Sequence, residues 1–221
     1  MITISRLIEE ILQGDDMARE AVRLRYLNMS AYAKKIRPQL ESRLYKPVSI
    51  GSIVVSLSRI RSKILGEPDY RPAVHIEDLS LRANLSEVSY EKTKEAVIAA
   101  AKLNTLIIHP DAFFAITQGT HELTVICDSA HLEQIVNQFP VEPKGRYADL
   151  TAITVRFIEQ EYIEVPNMIF TLLSSLAVAR INIIEIVSTY TELSFVVRSK
   201  DTERTISALS QFLASRKNPQ H

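Results

Sequence analysis

The sequence has little of what catalytic, metal-binding and disulfide-stabilised proteins usually carry. A single cysteine, Cys127, excludes an internal disulfide and is typical of a reducing compartment. The five glycines form neither a GxGxxG nor a GxxxxGK phosphate-binding pattern. The histidines are scattered without metal-ligand spacing, so we expect no metal and no cofactor. No charged-then-apolar leader and no membrane-spanning apolar run are present, so we expect a cytoplasmic protein without a membrane partner.

No catalytic constellation replaces these motifs, and we expect that the protein is not an enzyme. Cys127 lies in an apolar strand-like run, where a thiol behaves as a small core side chain. Glu161 and Glu164 could be paired carboxylates, but they flank a loop, where solvated or ligand-contacting side chains are more common. The 221 residues are 46% hydrophobic, enough for one large domain or two to three small ones.

The charge is balanced overall but unevenly distributed. Residues 1–66 hold 12 Lys and Arg against 6 Asp and Glu, a net charge of +6. The rest of the chain holds 14 against 20, a net charge of −6. A basic segment on an acidic body favours a polyanionic partner for the segment.

Residues 1–66 have the apolar periodicity of an all-helical domain. Arg37 and Pro38 are expected to interrupt one of its helices, because proline disfavours a helical residue before it. The last helix opens at Ser49 and carries small polar residues and cations at i, i+4, i+7 and i+11, opposite its apolar face. Small residues permit close approach to base edges, and cations reach phosphates.

We therefore interpret residues 1–66 as a helix-turn-helix-like or winged-helix-like domain that contacts DNA. The expected DNA-contacting residues are Lys34, Lys35, Arg37, Ser49, Ser52, Ser56, Arg59 and Lys63. The alternative is a helical dimerisation domain whose basic outer face is simply solvated. A segment with two prolines and a glycine follows, which predicts a linker at residues 67–75.

The C-terminal region alternates strand and helix patterns. Residues 151–158 alternate apolar and polar side chains, and residues 166–179 carry apolar residues at helical spacing, with Pro166 suited to a first turn. Two further strands around residues 181–198 are joined by a tight turn, and a last helix begins near Asp201. Strand-helix-strand-strand-helix is the opening of a ferredoxin-like unit.

This stretch resembles an ACT domain, and in particular the ACT repeats in the regulatory region of aspartokinases. The resemblance covers about 65 residues and is carried by Pro166, the Ile181-Asn182-Ile183 tripeptide, Ser188-Thr189 and the strand 192–197. It implies a module that senses amino acids and pairs with another copy. The several hundred residues of the kinase domain do not fit in this chain.

Residues 76–139 repeat the same order of elements. The segment 120–126 aligns with 190–196, because Glu122 and Glu192 lie 70 positions apart. We therefore predict an α+β chain with two ferredoxin-like, ACT-like βαββα units, at residues 76–147 and 148–215. Residues 140–147 can supply a fourth strand to the first unit. The second has none of its own, so its fourth strand comes from elsewhere in the chain, from a partner, or does not exist.

The resemblance also implies a ligand site between the loop that opens the first helix and the second strand. A helix N-terminus offers free N–H groups to a carboxylate. The implied site residues are Glu164, Val165, Pro166, Asn167, Met168, Ile169, Asn182, Ile183 and Glu185. The family often has glycine where this chain has Asn167, and the first unit lacks the proline altogether. The alternative is a degenerate unit used only for dimerisation.

The resulting hypothesis is a regulatory protein that senses a small molecule, an amino acid, and binds DNA in response. Homo-oligomers are expected, because ACT units join edge to edge and a free sheet edge is a liability. The alternative function is an ACT-type regulatory subunit that does not bind DNA and docks on a metabolic enzyme, such as an amino-acid-pathway kinase.

Overall fold

The computed structural model describes residues 3–65, 71–74, 76–103, 105, 112–157 and 164–216, with side chains described as far as residue 210. The chain divides into two compact units, residues 1–70 and residues 71–221. In the described residues the first unit is helical and the second combines helices with an antiparallel sheet. The prediction of a mixed helical and β chain is confirmed.

The helical unit contains α1 (Ile4–Gln13), α2 (Asp16–Arg23), α3 (Met29–Leu44) and α4 (Ile50–Ile64). A side-chain oxygen before each helix accepts a hydrogen bond from a first-turn N–H, which satisfies one of the otherwise unpaired donors there. The capping residues are Thr3, Asp15, Asn28 and Ser49. The apolar faces of the four helices meet in one core that includes Leu7, Ile8, Leu40 and Leu57, each at most 1% exposed.

α3 runs through Pro38 without a break, so the predicted interruption at Arg37 and Pro38 is wrong. Proline has no N–H for the carbonyl of Lys34, which costs about 3 kcal/mol in a helix interior. Lys34 and Pro38 are both exposed, so water can solvate that carbonyl. Ile36 and Leu40 are buried in the core, and their burial holds the two halves of the helix in line.

The α/β unit forms the sheet from β1 (Ile76–Glu91), β2 (Ala115–Gln118), β3 (Glu122–Asp128), β4 (Gly145–Phe157), β5 (Ile183–Ser188) and β6 (Glu192–Arg198). Its described helices are α5 (Lys94–Leu103), α6 (Leu132–Val136), α7 (Met168–Val178) and α8 (Thr202–Arg216). The strand order is β2-β3-β1-β4-β6-β5, with antiparallel neighbours throughout. The order strand-helix-strand-strand-helix thus occurs twice, as the repeat in the sequence predicts.

The two repeats match in local detail. The N–H of Gly119 donates to the carbonyl of Glu122 at 2.8 Å, and 70 residues later the N–H of Thr189 donates to the carbonyl of Glu192 at 2.9 Å. Other features recur at offsets of 65 in the opening strands and 70 in the hairpins: the hydroxyl pairs Ser86–Ser129 and Thr151–Ser199, the hydroxyl pairs Ser89–Thr124 and Thr154–Ser194, and the left-handed residues Asn84 and Asp149. Residues at these offsets therefore occupy equivalent places in the fold.

The long strands β1 and β4 each belong to both repeats. The second half of β1 pairs with β3 and with the start of β4, where Glu87 lies opposite Tyr147. The first half of β1 pairs with the second half of β4, where Leu79 lies opposite Val155. The first repeat therefore has the suggested fourth strand, but it is the start of β4, from Gly145 to Leu150, and only its first three residues lie within residues 140–147. The missing fourth strand of the second repeat is the first half of β1, supplied by the same chain.

Both long strands bend where they pass from one repeat to the other. Asn84 and Asp149 have φ of 58°, and the β1–β4 register shifts between Arg82 and Leu85. Asn and Asp tolerate this left-handed conformation better than other residues with a Cβ. These bends divide the sheet into two half-sheets, one per repeat: β2, β3 and the paired ends of β1 and β4 in the first, and β5, β6 and the other ends of β1 and β4 in the second. The bends let the two faces that no described helix covers, the bare faces, approach each other.

Apolar clusters lie on both faces of the sheet. The first core lies under α5 and α6, and its buried residues include Val88 and Leu123. The second core lies under α7 and α8 and includes Phe195 and Leu172. A third cluster lies on the bare face, with Leu85, Ile126, Leu150, Ala152 and Val196 buried, and with Ala115 and Ile184 from the two edge strands packed against it. The half-sheets therefore close on one another over this small third core.

The starts of two helices differ from the sequence pattern, which predicts a helix at residues 90–103 capped by Ser89 and a helix at residues 166–179. β1 continues to Glu91, and Thr93 accepts a hydrogen bond from the N–H of Ala96 at the start of α5. Pro166 lies in a turn, and α7 begins two residues later at Met168. The apolar pattern also predicts a strand at residues 105–109, but of these only Thr105 is described, and it lies in a turn.

The shared strands predict how fragments of the α/β unit will fold. A fragment of residues 71–221 retains both halves of β1 and should unfold cooperatively on heating. A fragment of residues 148–221 leaves one edge of β4 without its partner and exposes one side of the second core, so it should not fold alone. Circular dichroism melting of the two fragments checks this, and a cooperative transition in the shorter fragment would contradict the shared-strand arrangement.

Candidate functional site

The predicted ligand loop lies at the N-terminal end of α7. Glu164, Pro166 and Asn167 are exposed, Val165 packs against the second core, and Met168 is buried. Asn167 has a left-handed backbone, with φ of 69°, and its side chain makes no capping hydrogen bond. The next residue, Ile169, is 39% exposed. First-turn N–H groups and an exposed apolar side chain thus lie together at this end of the helix.

The predicted strand residues lie at the other end of α7. Asn182 is exposed just before β5, Ile183 faces the second core, and Glu185 follows across a register shift. Ile183 pairs with Val197, which pairs in turn with Thr151, whereas α7 follows the opposite end of β4. Thr151, level with Ile183, and Phe157, at the end of β4 that leads to α7, are six residues apart along the strand, a distance of roughly 20 Å. Within one repeat, therefore, the loop and the strand do not form a single site.

Asn182, Ile183 and Glu185 instead line a pocket of about 520 Å³ with residues from the first repeat. Its other walls come from β1, β3, β4 and β6, and include Glu87, Ser89, Thr124, Lys144, Tyr147 and Arg198. The pocket lies within the range of volumes usual for small-molecule sites. It is polar, unlike the third core on the same face of the sheet.

Glu87 is the least solvated carboxylate of this pocket. It is only 5% exposed, and its Oε2 has no hydrogen-bond partner among the described residues. Burial, and after it the charge of Glu185, raises the pKa of Glu87 to about 7. A buried carboxyl without a partner costs free energy, so this side chain needs an explanation beyond the fold.

The cations of the pocket differ in their partners. Lys144 forms an ion pair with Glu122, which holds the pKa of that carboxyl below its usual range. Arg198 is exposed at the pocket wall and forms no ion pair within the described residues. An ammonium group therefore has acidic side chains to meet in this pocket, and a carboxylate has Arg198.

In the helical unit, the predicted DNA-contacting residues of α3 are accessible. Lys34 is exposed, and Lys35 pairs with Asp15 at 3.3 Å. Arg37 pairs with Glu41 at 2.9 Å on the same helix. Exposed ion pairs of this kind contribute little to stability, so both cations can exchange their partners.

The predicted face of α4 is only partly open. Ser49 and Ser52 form the helix N-cap, and Arg59 is exposed. The Ser56 hydroxyl lies 3.4 Å from that of Ser5, and Lys63 pairs with Glu9 at 2.7 Å. Both partners belong to α1, which covers part of the surface that the periodicity of α4 leaves open.

The described residues offer no evident catalytic group. Cys127 is fully buried in the first core, and burial raises its thiol pKa to about 11, which fits the predicted core thiol. No group of three or more His, Cys, Asp and Glu residues within the described part could hold a metal ion. None of the described helices combines the length and apolar character needed to cross a membrane.

Sequence reasoning missed Glu87, Lys144 and Arg198. The alternation of β1 places Val88 and Tyr90 in the core, so Glu87 could be assigned to the other face, which looks solvated in the sequence. The sequence carries no signal that the second half-sheet covers this face. The pocket depends on the bend of the long strands, which brings together residues about 100 positions apart.

Comparison with known proteins gives a fold. No protein-family model and no curated protein matches the chain. Among solved structures, aspartate kinase from Clostridium acetobutylicum matches 62% of this chain and 34% of its own, with a TM-score of 0.52 and 12% identity. The regulatory subunit of aspartate kinase from Thermus thermophilus, in its ligand-free form, matches 63% of this chain and 97% of its own, with a TM-score of 0.50 and 12% identity. A structure of aspartokinase alpha and beta subunits matches 63% and 99%, with a TM-score of 0.52 and 10% identity.

The matched region has the fold of an aspartate kinase regulatory domain. Residues 1–70 are less than a third of the chain, so a match over 62% of it must extend well into the α/β unit. The match spans about a third of the Clostridium enzyme but nearly all of the Thermus regulatory subunit. The ACT-type resemblance seen in the sequence is therefore confirmed at the level of this regulatory fold.

Glu87 makes a specific prediction about stability and pH. Its pKa is higher in the folded chain, about 7, than the ordinary 4.5, so the folded state binds more protons between these values. The contribution of Glu87 to the free energy of unfolding should therefore fall as pH rises from about 4.5 to 7 and stay low above that. Glu87→Gln removes this term, and its stability relative to wild type should rise by roughly 3 kcal/mol between pH 4 and pH 8.5.

Urea unfolding at several pH values measures this difference. Glu91→Gln is the matched control, because Glu91 is an exposed carboxylate on the same strand. It should follow the wild-type pH profile. A constant difference between wild type and Glu87→Gln across the pH range would show that Glu87 is not buried as described.

Proposed function

We propose that this protein is an amino-acid-responsive regulatory protein whose α/β unit binds the effector. The observation that carries the proposal is the polar pocket lined by Asn182, Ile183 and Glu185, in a fold shared with the aspartate kinase regulatory subunit of Thermus thermophilus. Acidic groups and an arginine in one pocket suit the ammonium and carboxylate groups of an amino acid. The Clostridium relative is described as an allosteric enzyme, which is consistent with a regulatory role for this fold.

The loop at residues 164–169 is proposed as a second contributor to effector binding. The N-terminal N–H groups of α7 and the side chain of Asn167 are available to a carboxylate. Because this loop lies far from Asn182 within its own repeat, we place such a site between two copies of the chain. Within the described residues β2 and β5 are the edge strands of the sheet, and their outer backbone groups are open to pairing, which supports a homo-oligomer.

Thermal unfolding with each of the twenty amino acids tests the proposal. An effector at about 100 times its dissociation constant should add roughly 2.7 kcal/mol of stability, a shift of a few degrees. Asn182→Ala should reduce the shift, whereas Asn137→Ala, at an exposed asparagine outside the pocket, should keep it. If none of the amino acids stabilises the wild-type protein, the sensing function is wrong.

DNA is the proposed partner of the helical unit. The support is the net charge of +6 over residues 1–66 and the exposure of Lys34 and Arg59 on two different helices. The partial covering of α4 by α1 directs the proposed contacts toward α3, the N-cap of α4 and Arg59. In this proposal effector binding alters the affinity for DNA.

Fluorescence anisotropy with duplex DNA at several salt concentrations tests this partner. Removing two phosphate contacts with Lys34→Ala/Arg59→Ala should weaken binding and lower the salt slope by about 2. Lys102→Ala/Lys200→Ala removes the same charge from exposed positions of the α/β unit and should leave binding unchanged. If the two double variants weakened DNA binding equally, binding would depend only on the net charge of the protein, and Lys34 and Arg59 would not be specific contacts.

The alternative output is docking on a metabolic enzyme. The most exposed large apolar side chains in the described part of the helical unit are Met17 at 86%, Tyr26 at 82% and Tyr45 at 95%. Methionine and tyrosine are enriched in protein interfaces. Absence of DNA binding even at low salt, together with a response to amino acids, would favour this output over DNA.

A further inference from the structure

Two carboxylates, Glu87 and Glu185, line the pocket between the half-sheets, and the fold itself does not require either of them. Glu87 lies on β1 of the first repeat and Glu185 on β5 of the second, and the charge of Glu185 acts on Glu87 across the pocket. Glu87 is buried with one free oxygen, while the nearest strand neighbours in register are Ile126 and Tyr147. Two acidic groups that face each other without a shared cation repel.

The internal repeat supplies a control for this position. The residue equivalent to Glu87, 65 positions later, is Ala152, and the residue equivalent to Glu185, 70 positions earlier, is Ala115. The registers agree, because Ala115 pairs with Ile126 where Glu185 pairs with Val196. Both alanines pack in the third apolar core. Where the two half-sheets meet, the equivalent positions therefore differ. Ala115 and Ala152 belong to a packed apolar core, whereas Glu185 and Glu87 line an open pocket.

The remaining charged groups of the pocket do not neutralise the pair. Lys144 is already paired with Glu122, and both side chains are more than half exposed at the rim. Arg198 lines the wall and is exposed, so it is accessible to an anion. Among the described residues no cation neutralises Glu87 and Glu185 in this pocket, and a ligand can provide one.

We propose that this pocket binds a small molecule through its ammonium group, which Glu87 and Glu185 hold between the two half-sheets while Arg198 receives its carboxylate. This inference rests on the proposed sensing function and assigns its ligand a site within a single chain. The site joins strands from both repeats, so ligand binding tightens the closure of one half-sheet on the other. It requires neither the loop at residues 164–169 nor a second copy.

Binding has a proton signature. Glu87 faces Glu185 across the pocket, with Tyr147 beside it in register and Lys144, Glu122 and Arg198 on the surrounding walls. With a pKa of about 7, the Glu87 carboxyl is roughly half protonated at pH 7 in the empty pocket. An ammonium group favours the carboxylate, so binding releases roughly half a proton per chain at pH 7.

The test uses the full chain and a panel of the twenty amino acids, with n-butylamine and butyrate as partners lacking one charged group. Thermal shift identifies the compounds that stabilise the wild type, and titration calorimetry measures their affinity. Glu87→Ala and Glu185→Ala install the residues that the other repeat carries, so both variants should fold. We expect each to weaken binding of the stabilising amino acid at least tenfold, and Glu91→Gln to leave it unchanged.

The number of protons released on binding is a second measurement, and it tests the Glu87 carboxyl specifically. A variant that merely damages the pocket would weaken binding without changing this number. Calorimetry at pH 7 in phosphate and in Tris buffer separates proton release from binding enthalpy. Wild type and Glu91→Gln should release roughly half a proton, and butyrate should not bind. Residual binding by Glu87→Ala at high concentration should release none.

The outcomes separate this inference from the proposed function. An amino acid that binds wild type and Glu87→Ala equally would overturn the site, but the sensing function would stand. Binding of n-butylamine without any amino acid would support the ammonium site and overturn amino-acid sensing. If neither the amino acids nor n-butylamine bind, both proposals are overturned.

Discussion

The antiparallel ladder between β1 and β4 is the interaction on which the α/β unit depends. In the described residues each repeat has three strands of its own, and each completes its half-sheet with part of the opening strand of the other. The ladder also covers what would otherwise be two inner sheet edges, each with unpaired backbone groups. Forming this ladder costs little conformational entropy, because the two strands belong to one chain. They meet at a bend formed by Asn84 and Asp149.

The same bend turns a duplicated fold into one with two unlike sides. The bare faces of the half-sheets close over an apolar cluster where both repeats contribute small residues, Ala115 and Ala152. On the other side of the closure the equivalent places hold Glu185 and Glu87, and the faces remain apart around a polar pocket. A sensor needs a part that ligand binding can stabilise, and this side of the closure is the less well packed of the two.

Local sequence signals predicted much of the architecture. Capping residues such as Ser49 and Asn28 mark helix starts, because their side chains bond to N–H groups only two or three residues away. The hairpin at Thr189 was visible from its turn and from the match with Gly119. The helix break expected at Pro38 does not form, because burial of Ile36 and Leu40 on either side outweighs the local penalty of the proline. The apolar periodicity alone does not quantify that burial.

The sequence by itself determined the elements, their repetition and the charge contrast between the two ends of the chain, since these depend on residues within one or two turns or on composition. Only the tertiary structure decided that β1 serves two half-sheets, that Ser5 and Glu9 of α1 contact Ser56 and Lys63, and that Glu87 is buried near Glu185. These facts depend on contacts between residues about 50 to 100 positions apart. A strand's alternation says which face a side chain takes, but not what covers that face.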